Sequence, residues 1–146
     1  MSFVIVTDTS FLFSLFGSDA HSAAAQGWAH QTKQPITITA LNRYEFSNAI
    51  RFAIFRKVIS PNDARTSLAA FEADLKHGLL QLTSCDLGAV VVEADRLSES
   101  HTIVGGHRSF DILHVATARV LQATTLLTFD LNQRKLAGAL RLAVGP

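Results

Sequence analysis

Asp8, Glu45, Asp111 and Asp130 are the side chains best suited to joint chemistry, because an α/β fold could gather all four. Asp8 ends the apolar run Phe3-Val4-Ile5-Val6-Thr7, and Asp130 ends Leu126-Leu127-Thr128-Phe129. Asp111 opens Ile112-Leu113-His114-Val115-Ala116 after the Gly105-Gly106 break, and Glu45 lies inside a helix-like apolar segment. Gathered carboxylates repel one another and need a counter-charge, and a hard divalent cation supplies one. Carboxylate oxygens suit Mg²⁺ or Mn²⁺, which keep several waters and leave room for phosphate oxygens. One or two such ions can activate a water and stabilise the leaving oxygen at phosphorus, so the chemistry indicated is phosphodiester hydrolysis.

Each acid also has a purely structural reading. An Asp between a strand and a helix serves as an N-cap, accepting from backbone N–H groups at the helix start. Glu45 escapes that explanation. It shares a helix face with Leu41, Ala49 and Phe52, so its carboxylate points toward apolar surroundings. Its structural alternative is a buried ion pair with Arg43 or Arg51.

The elements that must position these residues are legible from periodicity and punctuation. Residues 3–7 form an aromatic and β-branched run of the kind buried on both faces of a sheet. Thr9 and Ser10 lead into a short helix broken at Gly17-Ser18, and Asp19 is placed to cap a second helix reaching Gln31. Ile36 to Thr39 reads as the second strand and Ala40 to Lys57 as a helix. Ser60-Pro61-Asn62-Asp63 starts a helix that runs from Asp63 to His77 and stops at Gly78. Leu79 to Thr83 is a third strand, and Asp86 caps a helix to His101. Thr102 to Arg108 reads as a loop around Gly105-Gly106. A helix from Ser109 to Gln122, a strand from Thr125 to Thr128, a helix from Leu131 to Leu140 and a strand from Leu142 to Val144 complete the chain. Strands alternating with helices predict a three-layer α/β/α sandwich around a parallel sheet of four to five strands, as one domain over residues 1–146. Ligands of open sheets bind beyond the carboxyl ends of the strands, where Asp8 and Asp130 fall.

Composition supports a packed globule. The 146 residues are 48% hydrophobic and 17% charged, and the four acids are a third of the 12 Asp and Glu available, so their placement calls for an explanation. A net charge of +1 neither demands nor forbids a polyanionic partner. Cys85 is the one cysteine, which excludes an intrachain disulfide and a cysteine-rich zinc site and reads as a small buried hydrophobe. His21, His30, His77, His101 and His107 show no ligand-pair spacing, which argues against zinc. No apolar run reaches the ~20 residues of a membrane span, so no membrane partner and a cytoplasmic location are expected.

The segments Val6-Thr7-Asp8-Thr9-Ser10-Phe11-Leu12, Glu45 on the helix after strand two, Phe110-Asp111-Ile112-Leu113-His114-Val115-Ala116-Thr117-Ala118 and Leu127-Thr128-Phe129-Asp130 together resemble the PIN-domain ribonucleases. In layout the chain is similar to VapC-like toxins of bacterial toxin–antitoxin pairs, from Phe3 to about Val144. The resemblance implies an acidic pocket that binds Mg²⁺ or Mn²⁺ and cuts single-stranded or loop RNA. It makes Asp8 and Asp111 the main metal ligands, with Glu45 and Asp130 completing the pocket, one metal ion or two being compatible with it. Ser10 would hold Asp8 or a metal-bound water, and Thr128 would support the pocket. A homodimer and an inhibiting antitoxin are also implied, and the phenylalanines at 46, 52, 55 and 71 offer an apolar surface wide enough for a partner. Arg43, Arg108, Arg134 and Lys135 are the candidates for RNA phosphate contacts. His114 follows Asp111 on the same side of its helix and reads as a half-buried packing residue. Asn132 stands where some relatives carry another acid.

Two other function classes compete. A phosphoryl-transfer or receiver-type domain shares the α/β layout, but Ser10 stands where a second nucleophile-motif Asp is required, and no receiver-type acid pair or late Lys is evident. A non-enzymatic RNA- or protein-binding module is the other, and the presence of all four acids counts against it.

Overall fold

Ile5 and Val6 are adjacent in sequence and both buried, and a strand's alternation sends them to opposite faces of a sheet. Ile5 joins one apolar cluster with Phe11, Ile38, Phe46 and Leu127, and Val6 joins a second with Leu97, Val115, Leu126 and Leu136. Two clusters, one on each side of the strands, require helices on both faces. The computed structural model, which describes residues 3–146, has that arrangement.

In chain order the elements are β1 (Ile5–Thr7), α1 (Thr9–Phe16), α2 (Ser22–Gln31), β2 (Ile36–Ile38), α3 (Ala40–Phe55), α4 (Pro61–His77), β3 (Leu80–Leu82), α5 (Leu87–Gly105), α6 (Ser109–Val120), β4 (Thr125–Leu127), α7 (Leu131–Ala139) and β5 (Ala143–Gly145). All five strands are parallel, in the order β3-β2-β1-β4-β5. Helices α1 to α4 supply the first cluster and α5 to α7 the second, giving the three-layer α/β/α sandwich. No helix among the described residues is long and apolar enough to cross a membrane.

The strand order positions the site. From β1 the chain moves outward to β2 and β3, then returns to place β4 on the other side of β1. The connections after β1 and β4 therefore leave in opposite directions and open a crevice at their carboxyl ends. The register is flush, with Thr7 opposite Leu127. Asp8, Thr128 and Asp130 thus emerge together at the mouth of that crevice.

Several boundaries differ from the sequence reading, each for a local reason. The loop expected at Thr102 to Arg108 is shorter, because α5 continues through Gly105 and stops only at Gly106, which caps it with φ 65°. Asp19 does not cap α2 directly; it accepts from the His21 N–H at 2.8 Å, and the helix starts at Ser22. Helix α4 begins at Pro61, since Ser60 and Asp63 form a reciprocal capping box around it. Phe46 and Phe71 are not part of an exposed apolar surface. They stack on each other with centroids 4.6 Å apart and are fully buried, leaving Phe52 and Phe55 as the exposed pair.

Candidate active site

Asp8 is built into its place by the turn from β1 into α1. Its backbone N–H extends the ladder to the Leu127 carbonyl at 3.0 Å. As N-cap of α1 its Oδ1 accepts from the Phe11 N–H at 2.9 Å. The Ser10 hydroxyl lies 2.8 Å from both carboxylate oxygens, and the Thr128 hydroxyl donates to Oδ2 at 2.7 Å. Ser10 and Thr128 therefore hold the carboxylate from α1 and from the end of β4. Asp8 is only 4% exposed. Burial pushes its carboxyl above the ordinary Asp range, against the opposing pull of the Phe11, Thr128 and Ser10 hydrogen bonds and of nearby His114. The N-cap reading and a chemical role are thus compatible for Asp8, because capping uses one oxygen and leaves a charge costly to bury.

Asp130 caps α7, accepting from the Gln133 N–H at 2.7 Å. Its own N–H donates to Thr128 Oγ1 at 3.0 Å, so one hydroxyl links the Asp130 backbone to the Asp8 carboxylate. Asp111 lies in the first turn of α6, whose N-cap is Arg108. Arg108 Nε donates to Asp111 Oδ2 at 3.1 Å, and its Nη2 stands 4.0 Å from Asp130 Oδ2. This guanidinium is therefore a counter-charge between two of the four acids.

Glu45 approaches from α3 and pairs with neither Arg43 nor Arg51. Its Oε1 lies 2.7 Å from His114 Nε2, yet it gains no aligned hydrogen bond and remains a buried oxygen without a donor. His114 is 5% exposed, more deeply buried than the half-buried packing residue expected from sequence. Asn42 fixes its proton. Asn42 Oδ1 accepts from the Thr39 N–H at 2.9 Å, so its amide nitrogen must donate, to the Thr7 carbonyl at 3.0 Å and toward His114 Nδ1 at 3.4 Å. With Nδ1 accepting, a neutral His114 carries its proton on Nε2, the ring nitrogen nearest Glu45 but not aligned with its Oε1.

Two residues that hold these groups escaped the sequence reading. Asn42 is the N3 partner of Thr39 in a capping box, and Gln133 stands three residues after its N-cap Asp130. The three-residue spacing was the available signal in both cases. Gln133 is fully buried and its Nε2 donates to the Asp111 carbonyl at 2.9 Å, tying the start of α7 to the start of α6. Asn42→Leu leaves the Thr39 N–H and one bond to the Thr7 carbonyl unmet, so a loss of about 2 to 4 kcal/mol is expected in urea denaturation. A loss below about 1 kcal/mol would show that Asn42 is not an organising residue.

The basic candidates divide. Arg43 is two residues from Glu45, which on a helix is the opposite face; it reaches to α4 and pairs with Glu72, away from the acids. Arg134 turns inward and donates to the Thr128 carbonyl at 2.8 Å. Lys135 is exposed on α7, and Arg108 is at the acids. Asn132 donates to the Gly105 carbonyl at 3.1 Å, joining α7 to the end of α5.

The donor chemistry fits a hard divalent cation: carboxylate oxygens, with the buried Glu45 Oε1 in no aligned hydrogen bond. As the side chains lie, no three His, Cys, Asp or Glu among the described residues are grouped closely enough to hold an ion. Protein donors account for the spread, since Asp111 and Asp130 lean to Arg108 and Asp8 to Ser10 and Thr128.

No curated protein sequence matches the chain significantly. In fold it is similar to VapC20 of Mycobacterium tuberculosis, a sarcin-ricin loop cleaving toxin, with TM-score 0.69 and 16% identity over 97% of this chain and 99% of that one. It is also similar to VapBC2 from Rickettsia felis bound to a promoter DNA fragment, with TM-score 0.65 and 14% identity over 97% and 96% of the two chains. FitAcB from Neisseria gonorrhoeae gives TM-score 0.64 and 14% identity over 98% and 97%. A family model for the PIN domain matches residues 5–139, from the first residue of β1 to the last of α7 and across all four acids. By that match the chain belongs to the PIN domain family.

Proposed function

We propose that this PIN domain is a divalent-metal-dependent endoribonuclease and the toxin of a bacterial type II toxin–antitoxin pair. The observation that carries the reading is the buried Asp8 carboxylate, held by Ser10 and Thr128 where β1 and β4 diverge, with Asp130 linked to it through the Thr128 hydroxyl and Arg108 joining Asp130 to Asp111. Retaining a costly buried charge there is understandable if it serves chemistry. The toxin assignment is supported by the fold shared with VapC20 and with VapBC2.

Asp8 and Asp111 would be the principal ligands of Mg²⁺ or Mn²⁺, with Glu45 and Asp130 completing the set. A bound ion supplies Lewis-acid charge to the phosphate and a water acidic enough to attack it. The chain's own residues do the rest. Ser10 and Thr128 fix the orientation of Asp8, so the carboxylate need not reorganise during the reaction. His114, oriented by Asn42, stands 2.7 Å from Glu45 and limits where that carboxylate can move. Arg108 balances Asp111 and Asp130 and, being 80% exposed, can swing to an incoming phosphate. Lys135 is the second phosphate contact in this reading. The exposed Phe52 and Phe55 on α3 give an antitoxin segment or a second copy of the chain an apolar surface.

The purified protein should cut RNA with Mg²⁺ or Mn²⁺, stop in EDTA, and lose activity in Asp111→Asn. Cleavage that persists in EDTA or in that variant contradicts the proposal. Arg108→Ala removes a competitor for Asp111 but also a phosphate contact. Mn²⁺ affinity is expected to tighten by no more than about 5-fold, as befits an exposed ion pair, while KM for RNA rises. Weaker Mn²⁺ binding in that variant would show Arg108 to be an organiser of the acids rather than a competitor.

A further inference from the structure

We infer that His21 is the outer end of a base-stacking platform on which an unpaired nucleobase of the RNA substrate rests beside the acidic pocket, an inference that builds on the ribonuclease reading. Three aromatic rings run in file from the core to the surface. Phe11 is fully buried, with Trp28 edge-on at 6.1 Å, and it stacks on Phe129 at 5.8 Å and 21°. Phe129 in turn carries His21 at 4.3 Å and 13°. His21 is exposed, and among the described residues its ring stacks on no other aromatic side chain. Near-parallel rings leave the far face of the imidazole at the right tilt for one more flat ring.

The backbone that carries the terminal ring is held in advance. The His21 N–H donates to Asp19 Oδ1 at 2.8 Å, and the Asp19 N–H donates to Ser22 Oγ at 2.8 Å. Asp19 Oδ2 accepts from the Ser14 hydroxyl at 2.9 Å, and Ser14 and Ser22 are both buried. The turn between α1 and α2 is thereby anchored to both helices, so little ordering is left to be done when a base arrives.

The stack also starts in the right place. Phe129 sits between Thr128, whose hydroxyl bonds Asp8, and Asp130. Its N–H approaches Ser10 Oγ at 3.4 Å, the hydroxyl that also contacts Asp8. A strand whose phosphate lies at the carboxylates therefore has a base within reach of the platform. Stacking tolerates any base but requires an unpaired one, so His21 would favour single-stranded or loop RNA over duplex.

The test uses a short fluorescent single-stranded RNA of mixed sequence and a ribose-phosphate oligomer of equal length without bases. Binding is read by anisotropy in EDTA for the full chain and for His21→Ala and His21→Trp, and cleavage of the RNA by the full chain with Mn²⁺ is measured alongside. His21→Ala should weaken RNA binding by about 5-fold or more, leave the base-free oligomer unaffected, and be matched or exceeded in the other direction by the Trp variant. Equal RNA binding by His21→Ala and the parent, or equal losses on both oligomers, would overturn the platform. If the parent cuts RNA but does not distinguish it from the base-free oligomer, the platform falls and the ribonuclease reading stands. If the parent binds with the expected His21 dependence but never cuts, the platform stands and the ribonuclease reading falls.

Discussion

Asp8→Asn is expected to abolish RNA cleavage and yet to make the metal-free protein more stable at neutral pH. The two effects share one cause. Asp8 is buried, and burial raises its carboxyl above the ordinary Asp range despite the hydroxyls of Ser10 and Thr128 and the Phe11 N–H. A raised value means that the folded chain holds the Asp8 proton more tightly than the unfolded chain does. Its stability contribution is therefore complete below the unfolded Asp value and is lost as pH rises through the folded one. As pH rises above the unfolded value the protein takes on the cost of that buried charge, which an uncharged Asn avoids. Melting temperatures in EDTA should show the Asn variant gaining on the parent from acid pH upward, then holding a constant lead. A lead that shrinks with rising pH would mean that the hydrogen bonds outweigh burial at Asp8. Cleavage should fall on the order of 10³-fold or more, the rate equivalent of about 4 kcal/mol of transition-state stabilisation.

Phe46→Ala is the second large effect, and it acts through packing. Phe46 is fully buried, stacks on Phe71 of α4 at 4.6 Å and meets Phe16 of α1 at a 60° tilt with centroids 5.7 Å apart. One ring thus clamps three helices over the same sheet face. Truncating it loses both transfer energy and close contacts around the cavity left behind, about 3 to 5 kcal/mol. Total stabilities are only about 5 to 15 kcal/mol, so this single change can consume much of the reserve. Glu45 immediately precedes Phe46 on α3, and the loosened helix should also lower activity in the fraction that stays folded. Phe46→Leu fills most of the space and should cost less than half as much. Urea denaturation measures both. A loss below about 1 kcal/mol for Phe46→Ala would show that α1 and α4 close over the gap.

Most of the layout was legible because strands buried on two faces and helices with caps leave strong local signals. Phe3 to Thr7, Leu126 to Phe129 and the breaks at Gly17 and Gly78 located their elements to within a few residues. The misreadings arose where a decision depended on contacts distant in sequence. Gly105-Gly106 reads as a loop, but only Gly106 adopts the left-handed cap, and Asn132 on α7 holds the Gly105 carbonyl. Phe46 and Phe71 look like a surface stripe until α3 and α4 are seen to pack on each other. At the site, Asp8 and Asp130 could be named from strand ends and Asp111 and Glu45 from their places on helices, while the supporting roles of Ser10 and Thr128 came only with the resemblance to the PIN-domain ribonucleases. The acids' other partners could not be named. Arg108 between Asp111 and Asp130, and His114 against Glu45, bring together side chains from separate elements.

The arrangement explains how a small, nearly neutral chain could handle a polyanion. Asp8 and Asp130 lie at the point where the sheet reverses its winding, and Arg108 stands at the same opening. A cation that displaces Arg108 from Asp111 would free the guanidinium for phosphate, so metal binding and substrate binding would support each other.

Calorimetric titration of Mn²⁺ into the parent chain and into Asp8→Asn tests the central claim most directly. The account predicts saturable heat from the parent and none from the variant at the same concentrations. Equal heats from both, or no binding by the parent at millimolar metal, would contradict it.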